Sequence, residues 1–178
     1  MKKDELLTQV HAILSTTPAR WLNLTRALPL ELMSRPPAAG EWSAVDCLRH
    51  LLDTERYVFA PRVEAFLAGR DLAAFNPDSA GSQPGADENP AELAAEFARL
   101  RADSLAYLSR VGSEDLARAA RHSELGLVTL GEMLHEWAGH DLMHTVQAER
   151  ALMQPFIAGS GAWRVYFTDH DIEAMTRT

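Results

Sequence analysis

The strongest constraint on the fold is the segment from Thr129 to Met153, whose pattern predicts one long amphipathic helix. Thr129, followed three residues later by Glu132, matches a capping box, in which each side chain accepts a hydrogen bond from the other residue's backbone N–H. Apolar residues then recur at the spacing of one helical face. They are Leu130, Met133, Leu134, Trp137, Ala148, Ala151 and Leu152. We therefore expect this face to be buried in a helical core.

The rest of the chain repeats this helical periodicity and shows almost no strand pattern. Four main helices are predicted near residues 3–28, 43–68, 90–110 and 129–153. The segment from Arg70 to Asn89 is rich in Gly, Pro, Asn, Ser and Asp and predicts the longest loop. Four helices with one long crossover loop indicate an all-α four-helix bundle, whose core is a usual place for a metal.

Two prolines predict breaks within these helices. Thr17-Pro18 has the pattern of a new N-cap with proline at the first helical position, so we expect the first helix to be interrupted there. A second break or kink is expected near Pro61, because proline removes a backbone donor from the helix.

Composition narrows the class of protein. The 178-residue chain has 47% hydrophobic and 24% charged residues, which fits one globular domain over residues 1–178. A net charge of −8 argues against a nucleic acid or an anionic membrane as partner. The N-terminus lacks a signal-peptide pattern, and no stretch approaches the ~18 apolar residues of a membrane span. The single cysteine, Cys47, fits a reducing compartment, so a cytoplasmic location is expected.

Helical phase distinguishes among the histidines of the fourth predicted helix. His140 and His144 are four residues apart, so their imidazoles lie on one face, where both can reach one metal ion. His144 falls near the middle of the apolar stripe and His140 at its edge, whereas His135 falls on the opposite side and should face water. The alternative is a pair of hydrogen-bonded histidines on a bundle face.

His50, in the second predicted helix, is a candidate third ligand. Two imidazoles from one helix and one from another would make a three-nitrogen site with open coordination positions, which suits chemistry rather than structure. Phase leaves its role open, because His50 lies outside the main apolar side of its helix. Cys47, one turn earlier, could be a fourth ligand or a nucleophile, but a lone buried cysteine usually packs as a small hydrophobe.

Two carboxylates fall on apolar faces, where a buried charge needs a partner. Glu55 lies within the apolar arc of the second helix, and Arg101 in the third helix is its candidate partner; a water-filled pocket is the alternative. Asp141 projects into the apolar stripe of the fourth helix and could orient a metal-bound imidazole.

Taken together, these motifs resemble the DinB-like superfamily of bacterial four-helix-bundle metalloproteins, which includes bacillithiol transferases. The matching pieces are Thr17-Pro18, Trp42-Ser43, His50-Leu51, Asp53-x-Glu55, Phe97-x-x-x-Arg101, Val128-Thr129-Leu130 and His140-Asp141-x-x-His144-x-x-Gln147. The resemblance implies a divalent metal on His50, His140 and His144, and a homodimer. Zinc is the first choice, while nickel, iron and copper also suit imidazole.

Two classes of function follow from this interpretation. In the first, the metal activates a low-molecular-weight thiol of the bacillithiol type for transfer to a small-molecule electrophile, in detoxification or stress response, with no protein nucleophile. The same open site could instead activate water for hydrolysis. In the second class, the bundle is a non-catalytic metal-binding stress protein. A pocket beside the metal, which the Arg70–Asn89 loop could line, would favour an enzyme.

Overall fold

Four long helical stretches make up most of the part of the chain that the computed structural model describes, residues 3–72, 75 and 89–175. The helices are α1 (Lys3–Ala27), α2 (Leu30–Met33), α3 (Ala44–Thr54), α4 (Ala60–Leu67), α5 (Pro90–Leu108), α6 (Leu130–Gly159) and α7 (Ile172–Met175). A π-helical turn (Glu55–Phe59) joins α3 to α4, and two 3₁₀ turns cover Asp115–Ala117 and Gly161–Phe167. The predicted all-α bundle is confirmed, although α6 continues to Gly159, beyond the expected end at Met153. Within the described ranges, none of the helices combines the length and apolar character of a membrane span.

The core consists of two apolar clusters with a polar layer between them. The first cluster includes Leu6, Val10 and Leu14 of α1, Val63 and Phe66 of α4, Leu108 of α5, and Leu130, Leu134 and Trp137 of α6. The second includes Trp21 of α1, Val45, Leu48 and Leu51 of α3, Ala94 and Phe97 of α5, and Ala148 and Leu152 of α6. All seven residues of the predicted apolar stripe on α6 are buried, and His135 is exposed as expected.

The order of the two clusters along each helix defines the topology. α1 and α6 run from the first cluster to the second, whereas α3–α4 and α5 run from the second to the first. α1 and α3 each pack against both α5 and α6. α4 and α5 run in the same direction, so the end of α4 and the start of α5 lie at opposite ends of the bundle. Most of the predicted crossover loop, residues 73–74 and 76–88, lies outside the described residues.

Helix α1 passes through Pro18 without a break, so the predicted interruption at Thr17-Pro18 is wrong. Proline has no N–H to donate to the carbonyl four residues earlier, which is that of Leu14. The guanidinium Nη1 of Arg101 donates to this carbonyl at 3.0 Å instead. A side chain from α5 thus satisfies the acceptor that proline leaves free, and the helix continues.

The break expected near Pro61 occurs immediately before it. The π-helical turn occupies Glu55–Phe59, and α4 begins at Ala60 with Pro61 in its first turn. A π turn adds one residue to the local repeat and changes the direction of the following side chains. Glu55 and Phe59, both buried, belong to this turn.

A short β-hairpin precedes α6 and was not predicted. Strand β1 (Ala119–His122) pairs antiparallel with β2 (Gly126–Thr129), with Ala119 opposite Thr129 and His122 opposite Gly126. Each strand has only four residues, too few for a clear alternating pattern. The hairpin leads directly into α6, and the backbone N–H of Leu72 donates to the carbonyl of Arg121 at 3.0 Å. These contacts place the end of β1 beside α4.

Candidate metal centre

Two capping boxes define where the helices that carry the histidines begin. Ser43 Oγ accepts from the Asp46 N–H at 3.2 Å and Asp46 Oδ2 accepts from the Ser43 N–H at 2.9 Å, at the start of α3. Thr129 and Glu132 form the same reciprocal pair at the start of α6, with Glu132 Oε2 accepting at 2.7 Å. The two local caps therefore set the helical frames of all three candidate histidines.

His50, His140 and His144 converge in the polar layer between the two apolar clusters. Nε2 of His50 lies 3.0 Å from Nε2 of His140, and one ring nitrogen of each of the three residues lies within 4.8 Å of the others. Imidazole nitrogens bind zinc at about 2.0–2.1 Å, so groups at this spacing can share one ion after at most a small side-chain adjustment. The pair that spacing predicted, His140 and His144, thus lies together with His50, the third ligand that the resemblance implied.

Aromatic rings enclose the three imidazoles. Trp42 stacks on His144 with ring centroids 5.6 Å apart, and it also contacts His50 at 4.9 Å. Phe59 meets the edge of His140 at 5.2 Å and stacks on Trp137 at 5.0 Å. Apolar rings therefore pack directly against the imidazoles.

The imidazoles are neutral at physiological pH. Desolvation, with the coulombic effect of His144 added, lowers the pKa of His50 to about 4. Desolvation, together with His144, His50 and Arg101, lowers the pKa of His140 to about 3. Burial also lowers the pKa of His144. A neutral imidazole keeps a lone pair for a metal, so the protonation state suits ligation.

Gln147 determines the tautomer of His144. Its Oε1 lies 2.9 Å from Nδ1 of His144, so this nitrogen donates and Nε2 keeps its lone pair. His50 and His140 can share one proton between their Nε2 atoms, but their buried Nδ1 atoms have no hydrogen-bond partner in the described part of the chain. Lone pairs that face one another without a proton or cation repel, so this donor set fits a divalent ion.

Asp141, which could have oriented a metal-bound imidazole, pairs with Arg101 instead. Its two carboxylate oxygens accept from Nη1 and Nη2 of Arg101 at 2.6 and 3.0 Å, and the orienting contact on His144 comes from Gln147. Asp141 follows His140 by one residue, or about 100° of helical rotation, which directs it to α5 and away from the imidazoles. Gln147 lies one turn after His144, a spacing that predicts a shared face.

The predicted pairing of Glu55 with Arg101 is confirmed. Nε and Nη2 of Arg101 donate to Glu55 at 3.1 and 2.8 Å, and the guanidinium packs over Phe97 at 4.8 Å. Burial by itself lowers the pKa of Arg101, but the attraction of Asp141 and then of Glu55 raises it overall. With the Leu14 carbonyl as a further acceptor, Arg101 links residues of all four long helical stretches.

Cys47 is fully buried in the second apolar cluster. Desolvation, with a smaller contribution from Asp46, raises the pKa of its thiol to about 12. A thiol that stays protonated is a poor nucleophile and a poor ligand, so Cys47 acts in packing.

A cavity of about 190 Å³ opens beside His50 and His140. It is also lined by Arg62 of α4, His122 at the end of β1, and Glu136 of α6. Sequence reasoning did not single out any of these three residues. Glu136 could have been found, because it lies four residues before His140 and so on the same helical face. The contribution of α4 and the hairpin depends on tertiary packing. Of the Arg70–Asn89 loop that was expected to line a pocket, Phe75 is the described residue that does so.

The Glu136 carboxylate forms no hydrogen bond or ion pair with any described residue. Desolvation raises the pKa of its carboxyl group, and Asp141 adds to this effect, whereas Arg62 lowers it. The cavity therefore places an available carboxylate beside His50 and His140.

Comparisons with known proteins agree with this architecture. The family model of the DinB superfamily matches residues 13–148, which include all three histidines. The fold is similar to that of YfiT from Bacillus subtilis, described as a probable metal-dependent hydrolase with an unusual four-helix bundle topology. The TM-score is 0.71 at 19% sequence identity, over 86% of this chain and 87% of that protein. Among curated proteins, none matches significantly. The extent of the family match shows that this chain belongs to the DinB superfamily.

Proposed function

We propose that the protein is a divalent-metal-dependent enzyme that hydrolyses a small molecule, with His50, His140 and His144 as the metal ligands. The observation that carries the proposal is the convergence of three neutral imidazoles, two of which, those of His50 and His140, line a cavity that also presents the free carboxylate of Glu136. When bound there, a divalent ion would polarise a substrate and lower the pKa of a water or thiol. Three neutral ligands leave the charge of the ion undiminished for this purpose.

Glu136 supplies the proton transfer that hydrolysis requires. On α6 the Cβ atoms of residues four apart are roughly 5–6 Å from one another, which places Glu136 within reach of a nucleophile held beside His140. Its carboxylate accepts the proton of the attacking water and then delivers it to the leaving group. The fold similarity to YfiT, a probable metal-dependent hydrolase, supports this choice of reaction.

The size of the cavity favours a small substrate. Its volume of about 190 Å³ is below the roughly 300 Å³ at which pockets for drug-sized ligands begin. Trp42 covers another side of the imidazole group, so the reacting part of the substrate enters from the Arg62 and Glu136 side.

Transfer of a low-molecular-weight thiol to an electrophile is the second candidate. A thiol cofactor needs more room than the inner cavity offers, and an adjoining cavity of about 390 Å³ shares Arg62, His122, Glu124 and Glu136 with it. This continuity supports a two-part ligand. In this reaction a thiol with a lowered pKa loses its proton without a strong base, so Glu136 is less important.

The two candidates differ in their dependence on Glu136. Protein stripped of metal and reloaded with zinc should be assayed with a panel of small esters, amides and lactones, and separately for conjugation of bacillithiol, glutathione and cysteine to an electrophile. For a hydrolase, Glu136→Gln should lower kcat by about 10²–10⁴-fold while metal content is unchanged. Glu149→Gln, an exposed carboxylate on the same helix, is the matched control and should keep full activity.

Zinc-loaded protein that conjugates a thiol, hydrolyses nothing and tolerates Glu136→Gln would establish the second candidate. Zinc-loaded protein with neither activity would favour the interpretation that the bundle is a non-catalytic metal-binding protein.

A further inference from the structure

The cavity beside His50 and His140 contains an unusual contact between two nitrogen groups. Nη2 of Arg62 lies 3.2 Å from Nε2 of His122, although the two residues are sixty positions apart in the chain. Both side chains are half-buried and line the cavity that also contains His50 and His140. Arg62 forms no ion pair with a carboxylate in the described part of the chain.

The hydrogen bonding of Nδ1, the other ring nitrogen of His122, determines whether Nε2 donates or accepts in this contact. Backbone N–H groups of Glu124 and Leu125 point to Nδ1 at 3.2 and 3.4 Å. A neutral imidazole has one acceptor nitrogen and one N–H. Because Nδ1 is the acceptor, Nε2 carries the proton and faces the guanidinium. Arg62 and His122 therefore present donors to one another with no acceptor between them.

Two adjacent donors of this kind fit one oxygen anion. A carboxylate can accept from the guanidinium and from the imidazole N–H at the same time, and charge-assisted bonds of this type are the strong ones. Glu124 and Glu136 also line the cavity and interact with Arg62 through space. Their charges oppose an incoming anion, and they oppose a dianion twice as strongly as a monoanion.

We propose that Arg62 and His122 form a binding subsite for a monocarboxylate, and that the substrate class is small carboxylic acids with an apolar body. The role of this group in turnover rests on the proposed function. The apolar body has a matching surface, because Val58, Phe59 and Phe75 line the same cavity. The carboxylate binds at Arg62, and the reactive bond then lies toward His50 and His140.

The subsite can be tested on metal-free protein, so its outcome is separate from that of the metal proposal. Benzoate is the probe, and benzamide is its neutral counterpart of the same shape. In EDTA-treated protein, NMR titration should show benzoate shifting the Arg62 Nε–H and His122 ring resonances. Arg62→Met should weaken benzoate binding about tenfold or more, since a charge-assisted pair is lost, and should leave benzamide binding unchanged.

Matched variants keep this test specific. Arg99→Met removes the same charge from an exposed position on α5 and should leave benzoate affinity unchanged. His122→Phe removes a neutral hydrogen-bond donor and should lower the affinity for benzoate by about threefold to tenfold. Inorganic phosphate at pH 8, as the dianion, should bind more weakly than benzoate.

Several results would overturn the subsite. These are equal affinity for benzoate and benzamide, unchanged benzoate binding in a folded Arg62→Met protein, or tighter binding of phosphate. Long-range ¹⁵N spectra that place the His122 proton on Nδ1 would also overturn it. If the wild-type protein binds benzoate as expected but binds no metal, the proposed function fails and the subsite remains.

Discussion

The Arg101 cluster (Arg101 with Glu55, Asp141 and the Leu14 carbonyl) and the three-histidine centre lie in the same polar layer of the bundle. Every N–H donor of the first has an acceptor, whereas the second contains ring nitrogens without a partner among the described residues. The five N–H donors of Arg101 reach Glu55, Asp141 and the Leu14 carbonyl in five hydrogen bonds. In the histidine centre, Nδ1 of His50 and Nδ1 of His140 are buried without a partner in the described chain, and the Nε2 atoms of the same two residues face each other at 3.0 Å.

The difference separates a structural role from a functional one. A buried polar group without a partner costs free energy, so a fully satisfied network stabilises one arrangement of the helices. A convergent set of lone pairs does not stabilise the metal-free fold in this way and instead favours a cation. Residues of the two clusters are neighbours in sequence: His50 precedes Glu55, and Asp141 lies between His140 and His144. Contacts, and not position along the chain, therefore distinguish their roles.

The largest effect on stability is expected from Arg101→Met. The variant leaves Glu55 and Asp141 buried without a counter-charge, and breaking a buried pair in this way costs about 3–5 kcal/mol of unfolding free energy. Urea denaturation of the metal-free protein measures it. Arg99→Met, which removes surface ion pairs with Glu96 and Asp103, should cost less than about 1 kcal/mol. Similar losses in both variants would contradict the structural role of the cluster.

His144→Ala should have the opposite profile, with a large loss of metal and little loss of metal-free stability. Removal of one of three ligands should lower metal affinity by more than the roughly 10–100-fold typical of outer-shell residues. Elemental analysis and competition with a chelator measure it. The exposed His135→Ala on the same helix is the control and should bind metal as the wild type does. Equal metal loss from the two variants would remove the basis of the proposed centre.

Gln147→Leu should weaken metal binding to an intermediate degree. The variant removes the acceptor that holds the His144 Nδ1–H, and loss of such an orienting contact costs about 10–100-fold in affinity. Gln147→Glu keeps an acceptor oxygen and should retain most of the affinity. A Leu variant with wild-type affinity would show that the surrounding rings, chiefly Trp42, orient His144 without help.

Cys47→Ala should have the smallest effect. The thiol packs in the second apolar cluster and its raised pKa keeps it protonated, so metal content and activity should be unchanged. Loss of one buried sulfur should lower the unfolding free energy by only about 1 kcal/mol. Metal analysis, the activity assays and denaturation check this, and a loss of bound metal would make Cys47 a ligand after all.

Local patterns were sufficient to predict most of the helices and part of the centre. The capping residue Thr129 and the apolar stripe of α6 depend on spacing within a few residues, and each is present as expected. The phase of His144 on that stripe has the same local origin. For His50 the sequence pattern alone was inconclusive, because a histidine outside the main apolar side can still be buried by a second neighbouring helix.

The sequence by itself determined the helices, their caps, the spacing of His140 and His144, and the need of Glu55 for a cation, because these depend on helical periodicity and on the cost of a buried charge. Only the tertiary structure decided that Pro18 does not break α1, that Asp141 binds Arg101, and that Arg62 and His122 meet at one cavity. Each of these outcomes depends on a partner from 40 to 87 residues away in the chain, and no local pattern specifies which distant group will satisfy a free carbonyl, carboxylate or donor.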